Sequence, residues 1–232
     1  MRGFLAAIAV AASMGFCAAS VQAGPVVVEL YTSQGCSSCP PADELLAELA
    51  TRDDVIPLAL HVDYWDYIGW KDLYGNPAFT KRQKGYAKAA GHRTIYTPQM
   101  IVGGLDHVVG YKPMKLAELI DMHEELPEPI ALSVEKAGGG LKVMAEALQD
   151  LNGPVVVQLV RYTPEATVEI RKGENAGRTI TYTNIVTSWD MIGGWNGAEP
   201  LELEIALEGD APAVVILQEL GHGGILAAAR VE

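Results

Sequence analysis

Two cysteines separated by two residues, Cys36 and Cys39, constrain this chain more than any other feature. A β-branched stretch at 26–31 precedes them and predicts a buried strand. Pro40 and a run with leucines at helical spacing follow them and predict a helix, since proline suits a first helical turn. The pair therefore lies where a strand ends and a helix begins. The partial positive charge and free N–H groups of a helix N-terminus stabilise a thiolate.

Three kinds of chemistry fit a cysteine pair in this position. In thiol–disulfide exchange, Cys36 is the more exposed attacking thiol with a lowered pKa, and Cys39 is the resolving thiol behind it. A zinc site normally takes four ligands, and the sequence has no second cysteine pair. A structural disulfide is the third interpretation. The strand before and the helix after the pair favour the redox interpretation.

The N-terminal segment has the pattern of a secretory signal peptide. A basic start, an apolar run at 4–12 and small residues up to Ala23 predict a signal peptide over residues 1–23. Its removal leaves Cys36 and Cys39 as the remaining cysteines, and they are expected to pair in an oxidising compartment. We therefore expect a periplasmic or secreted protein with no membrane anchor after cleavage.

The charge balance restricts the partners of the chain. The formal net charge is −12, and the sequence contains no basic run. Such acidity argues against nucleic acid and against an anionic membrane surface. The expected partners are protein thiols or a redox partner protein, with no cofactor beyond the cysteine pair itself.

The first half of the chain, 24–127, is predicted to be an α/β domain. A second strand at 55–62 follows the first helix, so the two strands should be parallel and bring their carboxyl ends to one edge. A helical insertion at about 63–91 comes next. A β-hairpin that turns at Gly103-Gly104 and a closing helix at about 112–125 complete this half.

The second half, 130–232, has a different pattern. A linker with Pro127 and Pro129 precedes several short apolar stretches, which are separated by turns rich in Gly, Asn and Pro. This spacing predicts a separate all-β domain, an antiparallel sheet of sandwich type. The polar loop from Gly173 to Thr179 is predicted to reach the cysteine site and to cover part of it.

The motifs Cys36-Ser37-Ser38-Cys39 and Thr97-Pro98 resemble those of the thioredoxin fold, and the resemblance covers residues 25–126. It implies a cis Thr97–Pro98 bond that faces the cysteine pair, with the backbone of Thr97 pairing with a substrate peptide. Thioredoxin itself has Trp before the first cysteine and Gly-Pro between the two. Gly35, Ser37 and Ser38 replace these residues here, so the resemblance implies no particular reduction potential.

A more specific resemblance covers nearly the whole chain after residue 23. The chain is similar to secreted bacterial proteins grouped as domain of unknown function 1223. This similarity implies an exported, periplasmic bacterial protein. The stretches that carry it are 32–43, 61–66, 96–99 and 173–179.

Supporting roles are predicted for residues near the two strand ends. His61 would orient or deprotonate a thiol or join a metal site, and Asp63 would be a buried acid that moves protons. Trp65, with Tyr64 and Trp70, would line a peptide groove. Arg178 would face the cysteines. The structural alternatives are a hydrogen-bonded strand-end histidine, a loop cap, aromatic packing and an ordinary hairpin turn.

The leading functional prediction is an exported thiol–disulfide oxidoreductase that acts on protein thiols through Cys36 and Cys39. One alternative is a copper-handling protein that uses both cysteines and His61, since thiolates suit Cu(I). Another is a binding protein with a purely structural disulfide, in which the β-domain is the working part.

Overall fold

The computed structural model describes residues 24–207 and 209–231. The predicted signal peptide lies outside the described residues. Within them, no helix combines the length and the apolar character needed to cross a membrane.

The first half contains the predicted alternation of strands and helices. Its elements are β1 (Val26–Thr32), α1 (Pro40–Leu49), β2 (Val55–His61), α2 (Pro77–Ala89), β3 (Gln99–Val102), β4 (Asp106–Val109) and α3 (Pro113–Glu124), with a 3-10 turn at Asp66–Ile68 between β2 and α2. Strands β1 and β2 are parallel, as predicted. Asn76 caps α2 by accepting a hydrogen bond from the N–H of Ala78, and Pro77 occupies the first turn.

The second half consists of strands. They are β5 (Ile130–Ala137), β6 (Gly140–Ala147), β7 (Val155–Glu169), β8 (Thr179–Trp195), β9 (Leu201–Ala206), β10 (Ala213–Glu219) and β11 (Ile225–Val231). The predicted strands are therefore present. They pair antiparallel with one another, as expected, and β8 in addition pairs with a strand of the first half.

The predicted fold class, a thioredoxin-like α/β domain followed by a separate all-β domain, is wrong. Strands from both halves form one mixed eight-stranded sheet in the order β11-β10-β7-β8-β2-β1-β3-β4, and a three-stranded sheet, β5-β6-β9, accompanies it. The two halves join where β8 runs parallel to β2, with Ala59 opposite Ile185. The Asn184 side chain also donates a hydrogen bond to the carbonyl of Pro57. The local pattern marks β2 and β8 as strands, but it does not show that the free edge of β2 takes β8 as its partner.

Alternating residues of β1 face two different hydrophobic layers, as strand geometry requires. Val28 and Leu30 pack with the leucines of α1 and α3. Val27 and Tyr31 face the opposite layer, where they pack with α2 and with residues of β7, β8 and β10. A third layer lies between the three-stranded sheet and strands β7 and β10. The sheet is therefore covered on both faces.

A buried ion pair connects α2 to the sheet. The guanidinium of Arg82 donates to both carboxylate oxygens of Glu29, at 2.7 and 2.8 Å. It also donates to Gln158 and Gln218, and it lies 3.7 Å from the ring centroid of Trp189. Glu29 is fully buried and Arg82 is 8% exposed. The pair therefore links α2 to β1, β7, β8 and β10.

Strands β7 and β8 continue past the sheet as a long hairpin. They pair from Val155 with Trp195 to Glu169 with Thr179. Strand β10 pairs only with the first part of β7, up to Arg161, and the register between β7 and β8 shifts after Arg161. We call residues 163–183 the hairpin arm and residues 171–178 its tip. Bulges of this kind re-aim a strand, and here the shift lies where the arm leaves the sheet.

The arm packs against the segment that follows β2. Ile170 and Tyr182 of the arm are buried and contact Trp70 and Tyr74. This apolar contact fixes the base of the tip beside the N-terminus of α1. The arm thus brings the second half of the chain to the cysteine pair.

We predict that Arg82→Ala lowers the free energy of unfolding by about 3–5 kcal/mol, because it leaves Glu29 buried without its counter-charge. Urea unfolding at neutral pH measures the change. The matched control is Arg52→Ala, which removes a pair with Asp54 and Glu124 whose members are 30–50% exposed. That variant should lose less than about 1 kcal/mol. Equal losses in the two variants would contradict the structural role of the buried pair.

Candidate functional site: a covered disulfide

Cys36 and Cys39 form a disulfide, with their Cα atoms 5.4 Å apart. The predicted pairing is therefore confirmed. Cys39 caps the N-terminus of α1, and Pro40 begins the helix. The disulfide lies at the carboxyl end of β1, which is the edge where open α/β sheets bind ligands.

Cys36 is predicted to be the more exposed cysteine, but the structure buries both residues, so they hardly differ in exposure. Cys36 is 1% exposed and Cys39 is 0% exposed, although Ser37 and Ser38 between them are exposed. The Cys36 sulfur lies 3.4 Å from the hydroxyl oxygen of Ser38. Burial of Cys36 comes from neighbouring segments that the local sequence does not identify.

The tip of the hairpin arm is one of these segments. The amide of Asn175 donates to the carbonyl oxygens of Gln34 and Cys36, both at 2.9 Å. The carboxylate of Glu174 accepts a hydrogen bond from the N–H of Ser37 at 3.3 Å. Asn175 is itself 2% exposed and accepts a hydrogen bond from Arg178. The prediction that the loop at 173–179 reaches the cysteines is confirmed, whereas a functional role of Arg178 stays a prediction.

The second covering segment follows β2. Trp65 packs tightly against Gly35. A Cβ at position 35 would lie only 3.0 Å from the Cβ of Trp65, so a larger residue there would push Trp65 away. The indole N–H of Trp65 donates to the hydroxyl of Thr97 at 2.7 Å. Trp65 also stacks on Tyr67, which is 81% exposed. Of the predicted aromatic rim, Trp65 thus lies beside the site. Trp70 packs against the arm, and its indole N–H donates to the side-chain oxygen of Gln34 at 2.8 Å.

Pro98 lies at the same edge of the sheet. Its bond to Thr97 is cis, as predicted, and Pro98 is buried. Strand β3 pairs with β1 so that Gln99 is opposite Tyr31. The preceding residue, Pro98, therefore lies next to the carboxyl end of β1, where the segment that leads to Cys36 begins.

His61 and Asp72 form a buried pair behind the disulfide. The ring of His61 donates from Nδ1 to Asp72 at 2.8 Å, and both side chains are fully buried. Asp72 also accepts from the N–H groups of Gln34 and Tyr74. Burial opposes ionisation of Asp72, but His61 and the two N–H donors hold the pKa of this carboxyl below its usual value.

The residues of the copper-handling alternative are not arranged as a metal site in the structure. Among residues 24–207 and 209–231, no group of three or more His, Cys, Asp or Glu side chains is arranged to hold a metal ion. Cys36 and Cys39 are bonded to each other, and His61 is directed at Asp72.

Asp63 is not the buried acid that the sequence suggested. It is only partly buried, and it accepts a hydrogen bond from the Thr80 hydroxyl at 2.6 Å. The buried acid on the helix that follows Cys39 is Asp43, which is 4% exposed. A sequence signal for it exists, because Asp43 and Leu46 follow Cys39 at positions i+4 and i+7 and so lie on the same helix face.

Asp43 is in an unusual environment for a carboxyl group. Among the described residues, neither of its oxygens has a hydrogen-bond partner of ordinary geometry, and the same holds for Nε2 of His61. Burial raises the pKa of Asp43 to about 7, and the nearby His61 and Thr32 offset only part of this effect. The site therefore contains a carboxyl group that exchanges its proton near neutral pH, one helical turn from Cys39.

Comparison with known proteins identifies the family. The profile described as a protein of unknown function, DUF1223, matches residues 27–218. The chain belongs to the DUF1223 family. The resemblance seen in the motifs is thereby confirmed for the family, whereas export of the protein stays a prediction. A search of the curated proteins found no significant match.

Solved structures share the fold of this DUF1223 protein. The crystal structure of protein AGR_C_4864 from Agrobacterium tumefaciens is 32% identical, with a TM-score of 0.77. That match covers 90% of this chain and 94% of the other. HBP35 of Porphyromonas gingivalis is 14% identical, with a TM-score of 0.63 over 89% of this chain and 74% of its own. The second likeness shows the fold alone.

We predict that Asp43 makes the protein less stable as the pH rises from about 4 to 7. The folded chain holds the Asp43 proton up to about pH 7, whereas the unfolded chain releases it near 3.8. The free energy of unfolding is therefore highest below pH 4 and falls by about 4 kcal/mol from this group, with no further loss above pH 7.

Urea unfolding between pH 4 and pH 8 tests this prediction. Asp43→Asn should lack this part of the decline and should exceed the wild type in stability at pH 8. Asp63→Asn is the matched control and should follow the wild-type profile. Parallel profiles for Asp43→Asn and the wild type would show that Asp43 is not the responsible group.

Proposed function

We propose that this DUF1223 protein is an exported, periplasmic thiol–disulfide oxidoreductase that acts on protein thiols. The observation that carries the proposal is the Cys36–Cys39 disulfide at the N-terminus of α1, with the proton-exchanging carboxyl of Asp43 one turn behind it. A helix N-terminus stabilises a thiolate, and a nearby carboxyl with a pKa near 7 supplies or accepts the proton that each exchange step moves.

The proposed exchange has two balanced steps. A client thiolate attacks the sulfur of Cys36, a bond forms between these two sulfurs, and the bond between Cys36 and Cys39 breaks. Cys39 leaves with the electron pair of that bond and takes up a proton. A second client thiolate then attacks the client sulfur of the mixed disulfide and releases Cys36 as a thiolate. The client dithiol becomes a disulfide, the protein becomes a dithiol, and the reverse sequence reduces a client.

Asp43 is the group placed to manage the proton of Cys39. It lies four residues after Cys39 on the same helix, and its backbone N–H donates to the carbonyl of Cys39. In the protonated form, its carboxyl donates to the departing Cys39 thiolate. In the reverse reaction, its carboxylate accepts the Cys39 proton. His61 and Asp72 support this role by setting the electrostatic environment of Asp43.

Thr97 and Pro98 are proposed to receive the client at the rim of the site. They lie at the carboxyl end of β1, and Trp65 contacts both Thr97 and the backbone at Gly35. A client segment seated along Thr97 would lie beside this aromatic side chain. The acidic chain has no basic run that would favour a different class of partner.

A structural disulfide is the second candidate function for the cysteine pair. The 1% exposure of Cys36 favours it, because inert disulfides are usually inaccessible to thiols. In that case, the sole role of the disulfide would be to stabilise the covered edge of the sheet. The two candidates differ in reduction potential.

We predict that the reduction potential of the Cys36–Cys39 couple lies above about −300 mV, since structural disulfides generally lie below that value. Equilibration with dithiothreitol buffers, followed by acid quench, alkylation and mass spectrometry, measures it. A potential below −300 mV would support the structural disulfide instead.

We also predict that a Cys39→Ser variant accumulates mixed disulfides with client proteins in the compartment where the protein acts. Cys36 can attack a client disulfide in this variant, but no thiol resolves the product. The matched control is Cys36→Ser, which keeps Cys39 at the fully buried position and should trap far less. Equal trapping by both variants, or none by either, would count against the assigned roles.

A further inference from the structure

We infer that Asn175 and Glu174 latch the tip of the hairpin arm over the disulfide and thereby control how fast a thiol reaches Cys36. This inference rests on the proposed function, and it assigns a role to two residues outside the cysteine pair. A thiolate must contact the Cys36 sulfur to form a bond, yet Cys36 is 1% exposed. Exchange therefore requires a covering segment to move.

The contacts of the tip distinguish it from the rest of the arm. The tip is held to the cysteine segment by polar bonds: the two from Asn175 to Gln34 and Cys36, and the one from Ser37 to Glu174. The base of the arm is held by apolar burial of Ile170 and Tyr182. Hydrogen bonds exchange readily for bonds to water, whereas exposing a buried aromatic ring carries a hydrophobic penalty. The polar end is therefore the part that opens.

The tip is also built to move as a unit. Backbone hydrogen bonds hold the turn together. The N–H of Ile170 donates to the carbonyl of Arg178, the N–H of Gly177 to the carbonyl of Ile170, and the N–H of Ala176 to the carbonyl of Gly173. The bonds from Asn175 and Glu174 to the cysteine segment can thus break without loss of the turn itself. Gly173 and Gly177 both have positive φ values, which suit such a tight turn.

The two latch residues act differently. Asn175 is neutral and donates hydrogen bonds to two carbonyl oxygens, so it holds the tip closed but does not repel a thiolate. Glu174 holds a carboxylate at the N–H next to Cys36, where it also repels an approaching thiolate. Repulsion between exposed charges is screened by salt. The effect of removing Glu174 should therefore diminish at high ionic strength, and that of removing Asn175 should not.

The test is the rate at which dithiothreitol reduces the oxidised protein, followed by acid quench and alkylation. Asn175→Ala should accelerate reduction on the order of tenfold or more, and Glu174→Gln by a few-fold at low salt. The latch slows the reduction of the disulfide and its re-formation equally. The equilibrium constant with dithiothreitol should therefore change less than about twofold. Glu169→Gln, on the same arm but away from the cysteine segment, should reduce at the wild-type rate.

Arg82→Ala separates gating from loss of stability. It weakens the core and leaves the latch intact, so it should not accelerate reduction. Acceleration by Arg82→Ala equal to that by Asn175→Ala would overturn the inference, since the thiol would then enter through global unfolding. Equal rates in the wild type and both latch variants would overturn the latch alone. Resistance to dithiothreitol in every variant would overturn the latch and the proposed function together.

Discussion

The parallel contact between β2 and β8 is the constraint on which the rest of the structure depends. It is short, with Ala59 opposite Ile185 and a side-chain bond from Asn184 to the carbonyl of Pro57. Through it, the strands of the second half continue the sheet of the first. The same contact fixes where β7 and β8 leave the sheet, and so it sets the position of the hairpin arm over α1. Without this pairing, the hairpin arm would not be held in the position that brings Asn175 next to Cys36.

The site combines two needs that conflict. Burial strengthens the electrostatic interaction between a cysteine thiolate and the nearby carboxyl, but a reacting sulfur must contact its partner. The structure meets both requirements because the segment that buries Cys36 has a polar tip, which can open, and an apolar base. The side chains of Asn175, Glu174 and Asp72 form hydrogen bonds with backbone groups of the segment around Cys36. The cover is therefore compatible with opening, and the base of the arm stays in place.

Two carboxyl groups near the disulfide behave in opposite ways because their surroundings differ. Asp72 receives hydrogen bonds from His61 and two backbone N–H groups, and its pKa is lowered. Asp43 is equally enclosed but receives no comparable bonds, and its pKa is raised to about 7. Donated hydrogen bonds favour the charged form, and burial without them favours the neutral form. A permanent charge and an exchangeable proton thus exist within one buried group of residues.

The sequence by itself determined the local structure: the strand and helix around the cysteines, the capped helix α2, the hairpin at Gly103-Gly104 and the positions of the later strands. These features follow from periodicity, caps and turn residues, which act over a few residues. The sequence also determined the Cys36–Cys39 pairing and the family. Only the tertiary structure decided that both halves share one sheet, that Cys36 is buried, and that Asp43 rather than Asp63 is the buried acid next to Cys39. Periodicity shows which face of a strand or helix is buried, but not which distant segment covers it, because pairing across long stretches of chain leaves no local pattern.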